Sequence, residues 1–141
     1  MSKLLQRLSD AAKSGVYRAA RHDEILEAAG GSTLKVARID LKGVSEKEAL
    51  MQHIARALEF PRWFGGTWDA LEDCLSDLSW SKAGGHVLLI DNGQRLPADE
   101  CGILVDILAS AAAAWAERGR PFFAVFLNGA ASLPELFRNS K

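Results

Sequence analysis

The stretch WFGGTWDALEDCLSDLSW, residues 63–80, holds four carboxylates, Asp69, Glu72, Asp73 and Asp77, and neither lysine nor arginine. Carboxylates at this spacing open three kinds of chemistry. Asp69 and Asp73 could work as an acid–base pair. They could hold a divalent cation through oxygen ligands. Or the row could present negative charge to a basic partner. The first two uses need an enclosed site that perturbs pKa values, and an exposed helix face offers none. No HExxH, P-loop, GxGxxG or GxSxG pattern occurs anywhere in the chain. No catalytic residue, metal ligand or cofactor is therefore expected.

The spacing itself predicts a helix. At about 100° per residue with Asp69 at zero, Asp73 falls near 40°, Asp77 near 80° and Glu72 near 300°. Leu71, Cys74, Leu75 and Leu78 fall between about 140° and 240°, on the opposite side. Thr67 stands where an N-cap is needed. An amphipathic helix with a solvated outer face is the ordinary reading of such a split. Ordinary surface helices mix signs, however, because opposite charges at i,i+4 help by roughly 0.2–0.5 kcal/mol and like charges cost about as much. Asp69–Asp73 and Asp73–Asp77 are both like pairs. The helix dipole favours Asp69 by about 0.3–1 kcal/mol but does nothing for Asp77 at the far end. The clustering thus carries a small cost with no structural benefit. Trp63, Phe64 and Trp68 at the helix entrance either plug the core or, beside fixed charge, form part of a binding surface.

The elements around this helix read as follows. GVYRA (15–19) is a short strand and DEILEAA (23–29) a short helix stopped by Gly30 and Gly31. LKVARIDL (34–41) is a strand by its β-branched content. SEKEALMQHIARALEF (45–60) is a helix in which Ser45 and Glu48 have capping-box spacing, with Leu50, Ile54, Ala57 and Leu58 along one stripe. A strand at 86–91 and another at 121–127 are wholly apolar, as parallel strands covered on both faces are. Between them lies a long helix with Ile103, Ile107, Leu108, Ala111 and Trp115 inward and Gly119 as its stop. Ser132 and Glu135 suggest a capped tail helix. Strands alternating with helices make an α/β fold: a small three-layer arrangement, with a three-stranded, mostly parallel sheet flanked by helices and GVYRA as an extra edge strand.

Composition excludes several functions. With 141 residues the chain fits one domain with a substantial core. A formal net charge of −1 supplies no global field for nucleic acid or membrane. The start MSKLLQRLSD lacks a continuous apolar run and reads as no secretory signal. ILASAAAAWA (107–116) is too short to span a bilayer. Cys74 and Cys101 have no metal or redox spacing and are expected as buried free thiols, which suits the cytoplasm. His22, His53 and His86 are scattered and read as structural or solvated. Lys13, Arg18, Arg21 and His22 form a modest basic patch, expected to be solvated rather than bound to nucleic acid.

FPRWFGGTWDALEDCLSDL resembles the core motif of the barstar family, intracellular inhibitors of the secreted ribonuclease barnase. The matching residues are Pro61, Trp63, Phe64 and Gly65, then Asp69, Ala70, Leu71, Asp73, Cys74 and Leu75. The element order matches from about residue 34 to 127. That resemblance implies a barstar-like domain at 34–127, an N-terminal extension at 1–33 and a C-terminal tail at 128–141. It also implies a stoichiometric inhibitor of a guanyl-type ribonuclease, not an enzyme, free as a monomer. The partner-binding residues it implies are Trp63, Phe64, Gly65, Thr67, Trp68, Asp69, Glu72, Asp73 and Asp77. Asp73 would enter the nuclease site to meet its arginines and histidine, with Asp69 one turn earlier and Trp63 stacked on that histidine. Glu72 replaces an aromatic of the family, and Ala114 stands where a further acid would sit on the long helix. The alternative is a module of the same fold that binds another basic host protein.

Overall fold

The computed structural model of the chain describes residues 3–62, 64–127, 133, 134 and 136. The elements follow in order: α1 (Lys3–Leu8), β1 (Gly15–Ala19), α2 (Asp23–Ala29), β2 (Leu34–Asp40), α3 (Lys47–Ala57), α4 (Trp68–Asp77), β3 (Gly85–Asp91), α5 (Ala98–Glu117) and β4 (Phe122–Leu127). The four strands form one sheet in the order β1-β4-β3-β2, and every pairing is parallel. The expected extra edge strand is β1, registered on β4 from Gly15 opposite Phe123 to Ala19 opposite Leu127.

β4 is apolar throughout and β3 is apolar between His86 and Asp91, because helices cover both their faces. β4 is buried from end to end, and β3 is buried except at Asp91. Side chains alternate across the sheet, and the two faces carry separate cores. Ala37, Ile39, Leu88, Ile90, Ala124 and Phe126 face α3, α4 and α5. Val87, Leu89, Phe123 and Val125 face Leu8, Ile25 and Leu136. The N-terminal segment therefore does more than its polar appearance suggests. Leu8 is completely buried, and Ser14 Oγ accepts the Phe122 N–H at 2.9 Å. The outer side of β1 is bonded by backbone groups of Pro134 and Leu136. β2 pairs with β3 alone.

Three local expectations need correction. α3 starts at Lys47 with Glu46 in the capping position and no side-chain cap, so Ser45 and Glu48 form no capping box. On α5 the buried stripe runs through Leu104, Ile107, Leu108, Ala111 and Trp115, whereas Ile103 is 40% exposed. Ile103 lies about 100° from Leu104 around the helix, and the contact with the sheet is centred on Leu104. Cys74 is buried as expected, but Cys101, in the first turn of α5, is only half-buried. Gly119 does end α5, with φ of 75° just past the cap residue Arg118. The expected tail helix from Ser132 and Glu135 lies outside the described residues.

Candidate functional site: the acidic face of α4

Local chemistry starts α4 where the sequence places it. Thr67 is in extended conformation and its Oγ1 accepts the Ala70 N–H at 3.0 Å, which satisfies one of the donors left open at a helix start. Before it, the Phe64 N–H bonds the Pro61 carbonyl at 3.1 Å, and Gly66 takes a φ of 75° that side-chain-bearing residues rarely adopt. At the other end Leu78 turns into the left-handed region, with φ of 44°, and its N–H closes on the Cys74 carbonyl at 3.0 Å. Leu78 is fully covered by the core; that burial accompanies a backbone conformation usually left to glycine.

One face of α4 is anchored. Leu71, Cys74 and Leu75 are buried, and the Trp115 indole N–H donates to the Leu75 carbonyl at 2.8 Å inside the protein. Burial pushes the Cys74 thiol up from its ordinary pKa, and the charges of Asp73 and Asp77 push it further; this leaves it a packed, protonated group and not a nucleophile. Asp69, Asp73 and Asp77 lie exposed on the other face, one turn apart. No ion pair among the described residues involves them or Glu72. Asp77 accepts the Ser79 hydroxyl at 3.2 Å. Glu72 is half-buried, and its Oε2 accepts the Ser110 hydroxyl of α5 at 2.9 Å.

The aromatics behave differently from the acids. Phe64 and Trp68 are half-buried and pack against the core. Phe64 meets Phe60 edge-on at 4.9 Å, and Phe60 meets Trp80 at 5.9 Å. The Trp80 indole donates to the Leu58 carbonyl at 3.1 Å. This chain of rings ties the end of α3 to both ends of the α4 segment, so the acidic helix is held on a rigid base. Gly65 and Thr67 are exposed beside it. Trp63 lies outside the described residues.

The structure also adds residues that sequence reasoning missed. Ser110 meets Glu72, and Trp115 meets Leu75, so α4 and α5 run side by side in the same direction. Asp99, Ile103 and Asp106 lie within about 40° of Ser110 around α5. Asp106 sits one turn before Ser110, level with the start of α4, and Ile103 and Asp99 continue the same exposed stripe beyond it. Their period was visible in the sequence, but their neighbour was not. Ala114, in the register expected for a further acid, is half-buried one turn beyond Ser110. Among the described residues no group of three or more metal-binding side chains gathers, and no helix is long and apolar enough to cross a membrane.

Residues 34–127 match the family described as barstar, the barnase inhibitor. The chain belongs to the barstar family. The matched range runs from the first residue of β2 to the last of β4, so it takes in α4 and its flank on α5 and leaves out α1, β1 and α2. Comparison with curated proteins finds no match. Members of the family are inhibitors that bind a ribonuclease, not enzymes, which implies a protein partner for this chain.

Proposed function

We propose that this protein is a stoichiometric inhibitor of a guanyl-type ribonuclease, and that α4 is the element that blocks the nuclease site. The observation that carries the reading is the row Asp69, Asp73 and Asp77, exposed and without ion pairs among the described residues, on a helix whose other face is locked into the core. A phosphate-binding cleft is lined by cations. Carboxylates on a rigid helix can replace the substrate phosphates there with no covalent step. Asp73, in the middle of the row, is the central contact. Asp69 supports it, and Glu72 and Asp77 lie towards the rim. Trp63, Phe64, Gly65, Thr67 and Trp68 form the approach surface. The protein acts in the cytoplasm as a free monomer and has no catalytic activity of its own.

The test is a titration of the parent and of Asp73→Ala against barnase and against secreted ribonucleases of the same organism, read as binding and as residual RNA cleavage. Asp73 faces water between two like charges, so its removal should leave stability unchanged or raise it by about 0.2–0.5 kcal/mol. Binding should weaken by about 2–5 kcal/mol or more, because desolvated cations of the partner lose their counter-charge; close charge pairs of barnase and barstar are a measured case of that generalisation and reach about 7 kcal/mol. Association of the parent should slow as salt rises. If Asp73→Ala binds as well as the parent, α4 is only a solvated face; if it unfolds, Asp73 holds the fold and is not a free contact.

A further inference from the structure

A second charged feature lies away from α4 and has the opposite sign. Where β2 ends against α3, a cavity of about 470 Å³ is lined by Arg38, Ile39, Asp40, Lys42, His53, Arg56 and Ala57. No residue of α4 or α5 lines it. Its volume lies within the range of small-molecule sites.

The wall of this cavity is mostly cationic, and its three cations are exposed. No ion pair among the described residues involves Arg38, Lys42 or Arg56. His53 and Arg56 are three residues apart on α3, which brings them to one side of the helix. His53 donates its Nδ1–H to the Ala49 carbonyl at 2.8 Å, so in the neutral ring Nε2 is a lone pair that can accept from the hydroxyl of a protonated phosphate. Arg38, at the rim, lies 3.3 Å from His22 Nε2. The single carboxylate, Asp40, is already engaged: its Oδ1 accepts the Asn92 side-chain amide at 2.8 Å and the Lys42 backbone N–H at 3.0 Å. Three cations thus share a recess with one carboxylate, whose charge also acts on Lys42 and His53, in a chain whose net charge is −1.

We propose that this recess binds a small anion of the phosphate class, held by Lys42 and Arg56 with His53 beside them and Arg38 at the rim. Guanidinium and ammonium donors match phosphate oxygens in charge and geometry. Two sources share this chemistry, inorganic phosphate and a phosphate monoester, and the Ile39 and Ala57 lining leaves room for the organic body of an ester.

Amide-resolved NMR titrations of the full-length protein test the assignment, with inorganic phosphate and adenosine monophosphate as probes at constant ionic strength. Saturable shifts are expected at Lys42, His53 and Arg56. Arg56→Gln and Lys42→Gln should each weaken binding about tenfold or more, since each removes a charge-assisted hydrogen bond. Asp40→Asn keeps an acceptor for Asn92 and Lys42 but removes the negative charge, so it should tighten binding. Unchanged melting temperatures would show that all three variants are folded. Equal affinities assign the recess to the free anion, and tighter binding of the nucleotide assigns it to monoesters. Shifts that grow linearly without saturating, or affinities indifferent to the three substitutions, would overturn the proposal. Neither result bears on the nuclease-inhibitor reading, which rests on α4.

Discussion

His86 makes acid sensitivity a quantitative prediction. It sits at the start of β3 with 2% of its surface exposed. Its ring lies 5.6 Å from that of Trp115 and 6.5 Å from that of Phe122. Nε2 is 2.9 Å from the Ser81 hydroxyl, whereas Nδ1 is buried without a partner. The neutral ring protonated at Nε2 suits this setting, because Nδ1 is then a bare lone pair and not an N–H lacking an acceptor. Burial, helped by the charges of Lys35 and Arg120, lowers the pKa from 6.5 to about 4. The unfolded chain therefore takes up a proton as pH falls through 6.5, and the folded chain does not until about 4. Stability from this group is complete above the unfolded value and is lost as pH falls between the two. The full shift corresponds to about 3 kcal/mol, of which about 2 kcal/mol is gone at about pH 5. Urea unfolding at about pH 7 and about pH 5 should be compared for the parent and His86→Leu. Leucine removes the titration and keeps apolar contact with Trp115 and Phe122. The variant's absolute stability will change because Ser81 loses the His86 ring and keeps only the Ala83 N–H, so the quantity read is the difference between the two pH values. The parent should lose about 2 kcal/mol more than the variant. Equal losses would show that His86 does not titrate differently in the folded state.

Two further outcomes follow from the contacts that hold the helices. Thr67→Ala leaves the Ala70 N–H without its acceptor and should lower stability by about 1 kcal/mol in thermal melts; no change would show that the cap is not formed in solution. Deletion of residues 1–14 removes Leu8 from the second face of the sheet and Ser14 from the Phe122 N–H. Loss of the Leu8 burial alone should cost about 1.5–3 kcal/mol, seen as a lower denaturant midpoint, although the family match begins only at residue 34. An unchanged midpoint would show that the N-terminal segment is an appendage.

Much of the candidate site was written in local order. The division of α4 into acids and apolar residues depends only on the helical period, and Asp69, Asp73 and Asp77 are exposed while Leu71, Cys74 and Leu75 are buried. Thr67 caps as expected because capping joins residues three apart in the chain. The apolar runs of β3 and β4 announced strands covered on both faces for a similar reason: the requirement falls on every residue of the segment. Ser45 shows the limit of that logic. Its spacing to Glu48 suits a capping box, yet the helix starts two residues later, because capping needs the right backbone geometry as well as the right residues.

What remained hidden depended on partners distant in sequence. Ile103 reads as core by apolarity, but the sheet meets α5 about the Leu104 line and leaves Ile103 outside. Glu72 reads as one acid among four until Ser110, far along the chain, takes its carboxylate. The cationic recess joins residues from β2, the loop after it and α3, and no spacing rule connects Arg38 to Arg56. His86 looked incidental because a histidine's neighbours, not its position, set its pKa. Period and capping act over a few residues and can be read from the chain, whereas burial, charge pairing and proton affinity are properties of surfaces that only folding brings together.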